Sequence, residues 1–381
     1  MEYWKVGILE GWKISKVNFA TLRLCATSSG HWAVGSALLT LSTFFSCQKE
    51  KHIESAFYHW QTELNLTTSE ANYLDSLKVS KLYVKFFDVD WDESRGMAVP
   101  VASVEIGKLG NWEIIPCVFI TNRTFQNIPA DKIEWLSVRI WKKLLELKPA
   151  NINFQEIQFD CDWTAGTRER YFQFLQVFRK KISDAPTPLS ATIRLHQLRD
   201  FRETGIPPVD RGMLMLYNTG EVENWAEENS ILNLEIAQNY LKNTAQTKNR
   251  FAPLPSTLYP LPLDIALPIF SWGVLFRHGS MIRLLHNLRA EDLQDTTRFL
   301  KMSPSRFQVS KSTYLDGYYL YEEDQIRTET IDEQLLTRAA DLAADHLNKR
   351  DRTVAFYYLD TTTIKHFPHA VLEKITDRFK K

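Results

Sequence analysis

Asn153-Phe-Gln-Glu-Ile-Gln-Phe-Asp-Cys-Asp-Trp-Thr164 is the stretch that decides the fold. Ile157, Phe159, Cys161 and Trp163 alternate with Glu156, Gln158, Asp160 and Asp162, the two-residue period of a strand with one apolar and one polar side. A solvated antiparallel strand gives the same alternation. Here, however, residues 164–179 follow at once, with apolar side chains at 171, 174, 175 and 178 in helical spacing. A strand whose polar side ends in two aspartates, then a short loop and a helix, is one βα unit of a parallel barrel. The aspartates then project from the carboxyl end of the strand, where such barrels hold their chemistry.

The rest of the chain repeats this unit. Residues 55–60 read as a first strand, followed by a helix that Thr67 caps with Glu70 three residues on. Residues 81–91 form a second strand ending in Asp88, Asp90 and Asp92, and 100–110 are an excursion. A third strand spans 112–120, with Asn122 and Arg123 at its end, and Pro129 opens an amphipathic helix that reaches Leu147. Strands five to eight are expected at 189–198, 211–218, 262–270 and 353–360, with helices at 230–242 and 332–349. The expectation is therefore an α/β fold, a single (β/α)8 TIM barrel over 55–381. A long insertion, 279–331, follows strand seven. It contains a hairpin turning at Asp316-Gly317 and is expected to lie over the barrel mouth.

A length of 381 residues suits one barrel with added loops. The balance of 46 basic and 46 acidic side chains gives no support for a nucleic-acid partner. The first fifty residues differ in character. Residues 32–46 are uncharged and mainly apolar, the length of a signal-peptide core and too short to span a bilayer comfortably. Phe44-Phe-Ser-Cys47 resembles a lipobox, in which the cysteine becomes the lipidated first residue of a bacterial lipoprotein. Residues 1–46 are then a signal peptide, 47–54 a tether, and Cys47 a membrane anchor on the cell envelope, periplasmic or at the outer-membrane surface. The nearest upstream basic residue is Arg23, which puts the effective start of the leader within the first thirty residues. Cys117 and Cys161 lie in expected strands and read as buried free thiols. His278, His286, His366 and His369 stand apart from acidic partners, so no metal site is expected. Nothing calls for a cofactor, and a monomer is expected.

Parity gives the inward positions: Glu156, Gln158, Asp160 and Asp162 on strand four; Thr192, Arg194 and His196 on strand five; Met213, Met215 and Tyr217 on strand six. Charges inside one barrel must pair, because an isolated buried charge is very costly. Arg194 is therefore expected against Glu156 or Asp160, with Glu156 in a structural network.

Phe159-Asp-Cys-Asp-Trp163 resembles the fourth-strand signature D-x-x-D-x-D-x-E of the family 18 glycoside hydrolases, the chitinase-like barrels. Met215-Leu-Tyr217-Asn218 resembles that family's M-x-Y-D, and Tyr58-His-Trp60 on strand one is similar in kind. The layout also resembles uncharacterised bacterial lipoproteins with chitinase-like barrels. The resemblance implies that Asp160 and Asp162 orient a sugar acetamido group that Tyr217 also contacts. The family's general acid would stand at 164, where this chain has Thr164, and the first Asp of the motif is Ile157. A threonine hydroxyl has far too high a pKa to protonate a glycosidic oxygen. A catalytic reading needs another carboxylate: Asp162, raised by its neighbour Asp160, or Asp88, Asp90 or Glu221.

Sugar sites combine flat apolar faces with hydrogen-bonding groups. The expected substrate-binding set is Trp60, Asp88, Asp90, Trp91, His196, Asn218 and Trp272, around Asp160, Asp162 and Tyr217 as the catalytic group. The leading expectation is an envelope lipoprotein that hydrolyses or binds carbohydrate at the carboxyl face of its strands. The alternative is a non-catalytic glycan-binding or scaffold lipoprotein.

Overall fold

The structure, a computed structural model, describes residues 52–108, 110–182, 187–243 and 259–380. The expected signal peptide, 1–46, and Cys47 fall outside the described residues. Strand β1 (Ile53–His59) begins at Ile53 rather than at Ser55, because Ile53 and Glu54 already pair with Arg352 and Thr353. It is followed by β2 (Lys81–Asp92), β3 (Glu113–Ile120), β4 (Ile157–Asp160), β5 (Leu189–Arg194), β6 (Arg211–Met215), β7 (Leu263–Pro268) and β8 (Arg352–Tyr357). All neighbours are parallel in the order β1-β8-β7-β6-β5-β4-β3-β2, and β1 also pairs with β2, which closes the sheet. The protein is a (β/α)8 TIM barrel.

The helices form as their sequences dictate. Helix α1 (Thr68–Ser76) carries the full capping box, with Glu70 N donating to Thr67 Oγ1 and Thr67 N to Glu70 Oε2. Helix α2 (Ile133–Leu147) buries Ile133, Leu136, Ile140 and Leu144, one stripe facing the barrel. Helix α3 (Arg168–Lys181) buries Tyr171, Phe174, Leu175 and Phe178. Phe159 meets Phe174 and Phe178 with ring centroids 5.1 and 4.8 Å apart. The apolar side of β4 is thus its outer side, and the polar side faces the lumen. Helix α4 (Leu234–Asn243) starts later than expected, because Ser230 is engaged elsewhere. Helix α5 (Glu333–His346) starts on an Asp332 cap whose carboxylate accepts from Leu335 N.

Several expectations need correcting. Strand five stops at Arg194; residues Leu195–Arg199 form a short helix, so the parity that pointed His196 inward does not extend to it. The excursion after β2 comprises a strand, Met97–Val101, antiparallel to β2's far end, and a two-residue strand, Glu105–Ile106, that runs parallel to Glu63–Leu64. The insertion is larger than expected. It is a five-stranded antiparallel sheet in the order Ser280–His286, Trp272–Arg277, Gln325–Glu329, Arg306–Val309, Phe299–Ser303. Its hairpin, Thr313–Leu315 with Tyr318–Leu320, turns at Asp316 and Gly317, both at positive φ.

That sheet is rooted at the rim of the barrel mouth. Glu329 accepts from Trp272 Nε1 (2.9 Å), Ser230 N (2.7 Å), Ser230 Oγ (2.7 Å) and Ile231 N (3.1 Å). The fully buried Arg327 pairs with Glu329 at 2.6 Å and donates to the carbonyls of Val222 and Asn224. A buried ion pair is tolerated when its remaining donors find partners, and here they fasten the loop after β6 to the insertion.

Candidate functional site

The lumen is layered. At its amino-terminal end Glu54 pairs with Lys81 (2.6 Å), Arg211 with Asp264 (3.2 Å), and Ser190 Oγ donates to Glu156 (2.5 Å). Glu156 therefore belongs to a structural network far from the mouth, and Arg194 does not reach it. In the middle, Gln158 accepts from Tyr58 OH at 2.6 Å and donates to Ser190 Oγ at 3.2 Å. Tyr58 stacks on Tyr83 at 5.0 Å.

The mouth lies above this layer. Arg194 closes on two carboxylates: its Nε donates to Asp162 Oδ1 at 2.5 Å, and its Nη2 lies 3.5 Å from Asp160 Oδ1. Thr192 Oγ1 also donates to Asp160 at 2.5 Å. Asp160 is buried, and burial pushes its carboxyl up against the pull of Arg194, with Asp162 and Asp88 adding to the rise. Asp162 is half-exposed. Asp160, the inner of the two motif aspartates, is thus a raised acid.

Strand β2 brings Lys85 and Asp88 to the same mouth. A register shift between Lys85 and Phe87 inserts one residue and keeps both polar side chains on the inner face. Lys85 Nζ lies 3.2 Å from Asp88 and 5.9 Å from the centre of the Trp60 ring. Burial raises Asp88, only partly offset by Lys85. Its Oδ1 is buried with no hydrogen-bond partner among the described residues. Asp90 is different. Burial would raise it, but Thr121 Oγ1 (2.7 Å), Arg123 and the Trp91 amide donate to it and hold it below the ordinary value. Asp90 is a satisfied ion-pair partner.

Opposite the acids stands a wall of aromatic rings. Tyr357 stacks on Tyr217 at 5.0 Å and meets Tyr58, Phe270 and Trp60 at 5.6, 5.7 and 5.8 Å. Trp60 and Tyr357 are half-exposed, whereas Tyr217 is buried beneath them. On the acidic side, half-exposed Phe119 of β3 stands in register between Asp88 and Asp160.

Other expected residues lie elsewhere. Trp91 alternates with Phe87 and Val89, on the face opposite Asp88 and Asp90. Trp272 is only 8% exposed, and its N–H is engaged by Glu329, so it anchors the insertion and offers no open face. Asn218 is exposed, at φ 54°, where the chain leaves β6, a backbone that asparagine tolerates better than most residues. His196 is exposed on its short helix, within electrostatic reach of Asp162. Glu221 is exposed on the loop after β6. Sequence reading missed Phe119, Phe270 and Tyr357. Phe119 shares the inner face with Cys117, so strand parity could have found it. Cys117 and Cys161 are buried free thiols. Among the described residues no group of three His, Cys, Asp or Glu is placed to hold a metal ion.

No family model matches the chain, and no curated protein matches it in sequence. Solved structures do match in fold. The spore cortex-lytic enzyme SleL of Bacillus megaterium QM B1551 aligns with a TM-score of 0.52 at 14% identity, covering 86% of this chain and 74% of that one. The fold shared with that enzyme is the (β/α)8 barrel. SleL of Bacillus cereus gives a TM-score of 0.49 at 13% identity over 86% and 74% of the two chains. The GH18 chitinase ChiB of Flavobacterium johnsoniae gives 0.47 at 14% over 86% and 94%.

The position where the family 18 motif sets its acid is structurally plain in this barrel. Thr164 is exposed in the loop after β4; its amide donates to Thr167 Oγ1 at 2.9 Å, and Thr167 Oγ1 in turn donates to Asn122 at 2.6 Å. Thr164 is a turn residue that helps start α3. Ile157, the other departure, is buried.

Proposed function

We propose that this protein is an envelope-anchored lipoprotein, held at Cys47, whose barrel binds carbohydrate at the carboxyl ends of its strands without cutting it by the family 18 route. The observation that carries the reading is Arg194 closed on Asp160 and Asp162 beside the open faces of Trp60 and Tyr357. An acid catalyst needs a proton to give and a path to the leaving oxygen. Thr164 supplies neither, and Arg194 occupies the two motif aspartates. The half-exposed rings, polar groups and lumenal hydroxyls still make the combination of apolar face and hydrogen-bonding edge that sugar rings require. The protein acts as a monomer, with the glycan as its partner.

The test incubates the purified chain with a panel of polysaccharides and peptidoglycan and scores retention and released sugar together. Retention without release, lost in Trp60→Ala and Tyr357→Ala, is the expected result. Release that disappears in Asp160→Asn and Asp162→Asn would make the protein a hydrolase. Neither retention nor release from a folded preparation would leave a scaffold and overturn the carbohydrate reading.

A further inference from the structure

The hairpin of the insertion sorts its side chains by strand parity. Leu315, Tyr318 and Leu320 pack into the insertion's own apolar core, while Tyr314 and Tyr319, directly opposite each other, take the outer face. Tyr321 continues that face two residues on. The three tyrosines are 66%, 38% and 51% exposed, yet they touch: the ring centre of Tyr319 lies 5.0 Å from that of Tyr314 and 5.0 Å from that of Tyr321. Single exposed aromatic side chains are ordinary, but a contiguous cluster marks a surface that meets a partner.

The cluster is held from behind. The Arg277 guanidinium lies 4.3 Å from the centre of the Tyr321 ring and is forked onto buried Asp324 at 2.7 and 2.8 Å. Asp324 also accepts from Tyr321 N at 2.8 Å. Arg298 donates to Tyr314 O at 2.6 Å and to Thr313 Oγ1 at 2.9 Å. Beside Tyr321 opens a cleft of about 290 Å³, lined by Arg277, His278, Glu322, Glu323 and Asp324. Trp272, at the rim, and Arg277 are the two ends of one strand, roughly 17 Å apart. The tyrosines therefore stand at the tip of the insertion, away from the mouth.

The chemistry of the cluster selects its partner. Each tyrosine presents an apolar ring face and a hydroxyl that donates and accepts, the combination sugar rings require. The rings meet at 67° and 88°, so they form no single plane and fit one polymer chain better than a flat crystalline face. Exposed Glu322 and Glu323 flank Tyr321, and Arg277 is neutralised by Asp324, which disfavours a polyanion or an anionic membrane. We propose that Tyr314, Tyr319 and Tyr321 form a second glycan-binding surface, for a single neutral polysaccharide chain, at the tip of the insertion. The choice of a glycan over a protein rests on the carbohydrate reading of the mouth. The tip alone holds a chain weakly; its effect is to raise the affinity of a polymer long enough to reach mouth and tip together.

The experiment is affinity electrophoresis of the full chain through native gels containing glycol chitin or hydroxyethyl cellulose, both neutral and soluble. Tyr314→Ala/Tyr321→Ala is expected to weaken retardation at least about tenfold, with an unchanged thermal midpoint because both side chains are exposed. Tyr314→Phe/Tyr321→Phe, which keeps the ring faces, is expected to restore most of it. Retardation equal to wild type in the alanine variant overturns the proposal, and Trp60→Ala then shows whether the mouth reading falls with it: retardation lost in Trp60→Ala keeps the mouth and removes the tip. An unretarded wild type in both polymers, or phenylalanine and alanine variants equally weakened, also overturns it. So does self-association in sedimentation that the alanine variant abolishes, which makes the patch an interface between copies of this chain.

Discussion

Replacing Arg194 with methionine isolates the electrostatics of the mouth. The substitution keeps a long apolar stem but removes the charge that faces Asp160 at 3.5 Å and Asp162 at 2.5 Å. Removing one partner of a buried pair costs about 3–5 kcal/mol. The lower end applies here, because Asp162 is partly solvated and contributes little, and Asp160 keeps the Thr192 hydroxyl. About 3 kcal/mol at neutral pH is the expected loss. That loss depends on pH in a defined direction. Asp160 is already raised above its ordinary value of 3.8 by burial, and without Arg194 it rises further. An acid whose folded pKa is raised binds more protons folded than unfolded, so its stabilisation is fully present below pH 3.8 and is lost as pH rises through the folded value. The variant's deficit should therefore shrink steadily as the pH falls from neutrality toward 4, by up to about 1.4 kcal/mol per pH unit. Urea unfolding of both proteins across that range measures it. Adding Asp160→Asn to the variant should recover most of the stability at neutral pH, because the uncompensated charge is then gone. A deficit that stays constant with pH, or a double variant no better than the single one, would refute the assignment of the loss to Asp160.

Three further outcomes follow from particular contacts. His59 is buried and held neutral, its pKa lowered by burial from 6.5 to about 4, against the pull of Glu70. The unfolded chain takes up that proton more readily, so between pH 6.5 and 4 the wild type should lose roughly 3 kcal/mol more than His59→Asn; parallel stability curves would contradict this. Trp272→Phe should cost about 1 kcal/mol in urea unfolding, through the lost bond to Glu329, and leave glycan retention unchanged; lowered retention would place Trp272 in the site. Asp332→Ala removes the cap of α5 and should lower stability by about 1 kcal/mol, with the circular dichroism of the folded state preserved.

How far the sequence could be read depends on what each signal measures. The βα unit at 153–179 was legible because strand parity and helical spacing there report one physical fact, the apolar surface each element must bury. Phe159 and Phe174 meet for that reason. Asp316-Gly317 was legible because a tight hairpin needs positive φ at both positions. His196 was misplaced because nothing in its alternating neighbours marks where β5 gives way to a helical turn; Gln197, whose side chain accepts from Arg194 N at 2.8 Å, supplies that stop. Trp272 was misplaced because its partner Glu329 lies across the insertion. The grip of Arg194 on Asp160 was legible as charge pairing. Its reach to Asp162 was not, since parity gives a direction and no distance.

The five-stranded insertion has a consequence of its own. A closed barrel has no free edge, but an open antiparallel sheet has two, and each offers unpaired amides and carbonyls to any passing strand. The outer strand Phe299–Ser303 adds apolar bait, with Leu300 57% and Met302 50% exposed. Its ladder is interrupted by a register shift between Lys301 and Ser303, and the pairing that carries the opposite edge is interrupted between Leu275 and Phe276. Broken registers twist an edge and spoil it as a template, and Lys301 on one outer strand and Arg283 on the other add charge that a docking strand would have to bury. The same irregularities that look like defects in the sheet keep neighbouring molecules from knitting together along it.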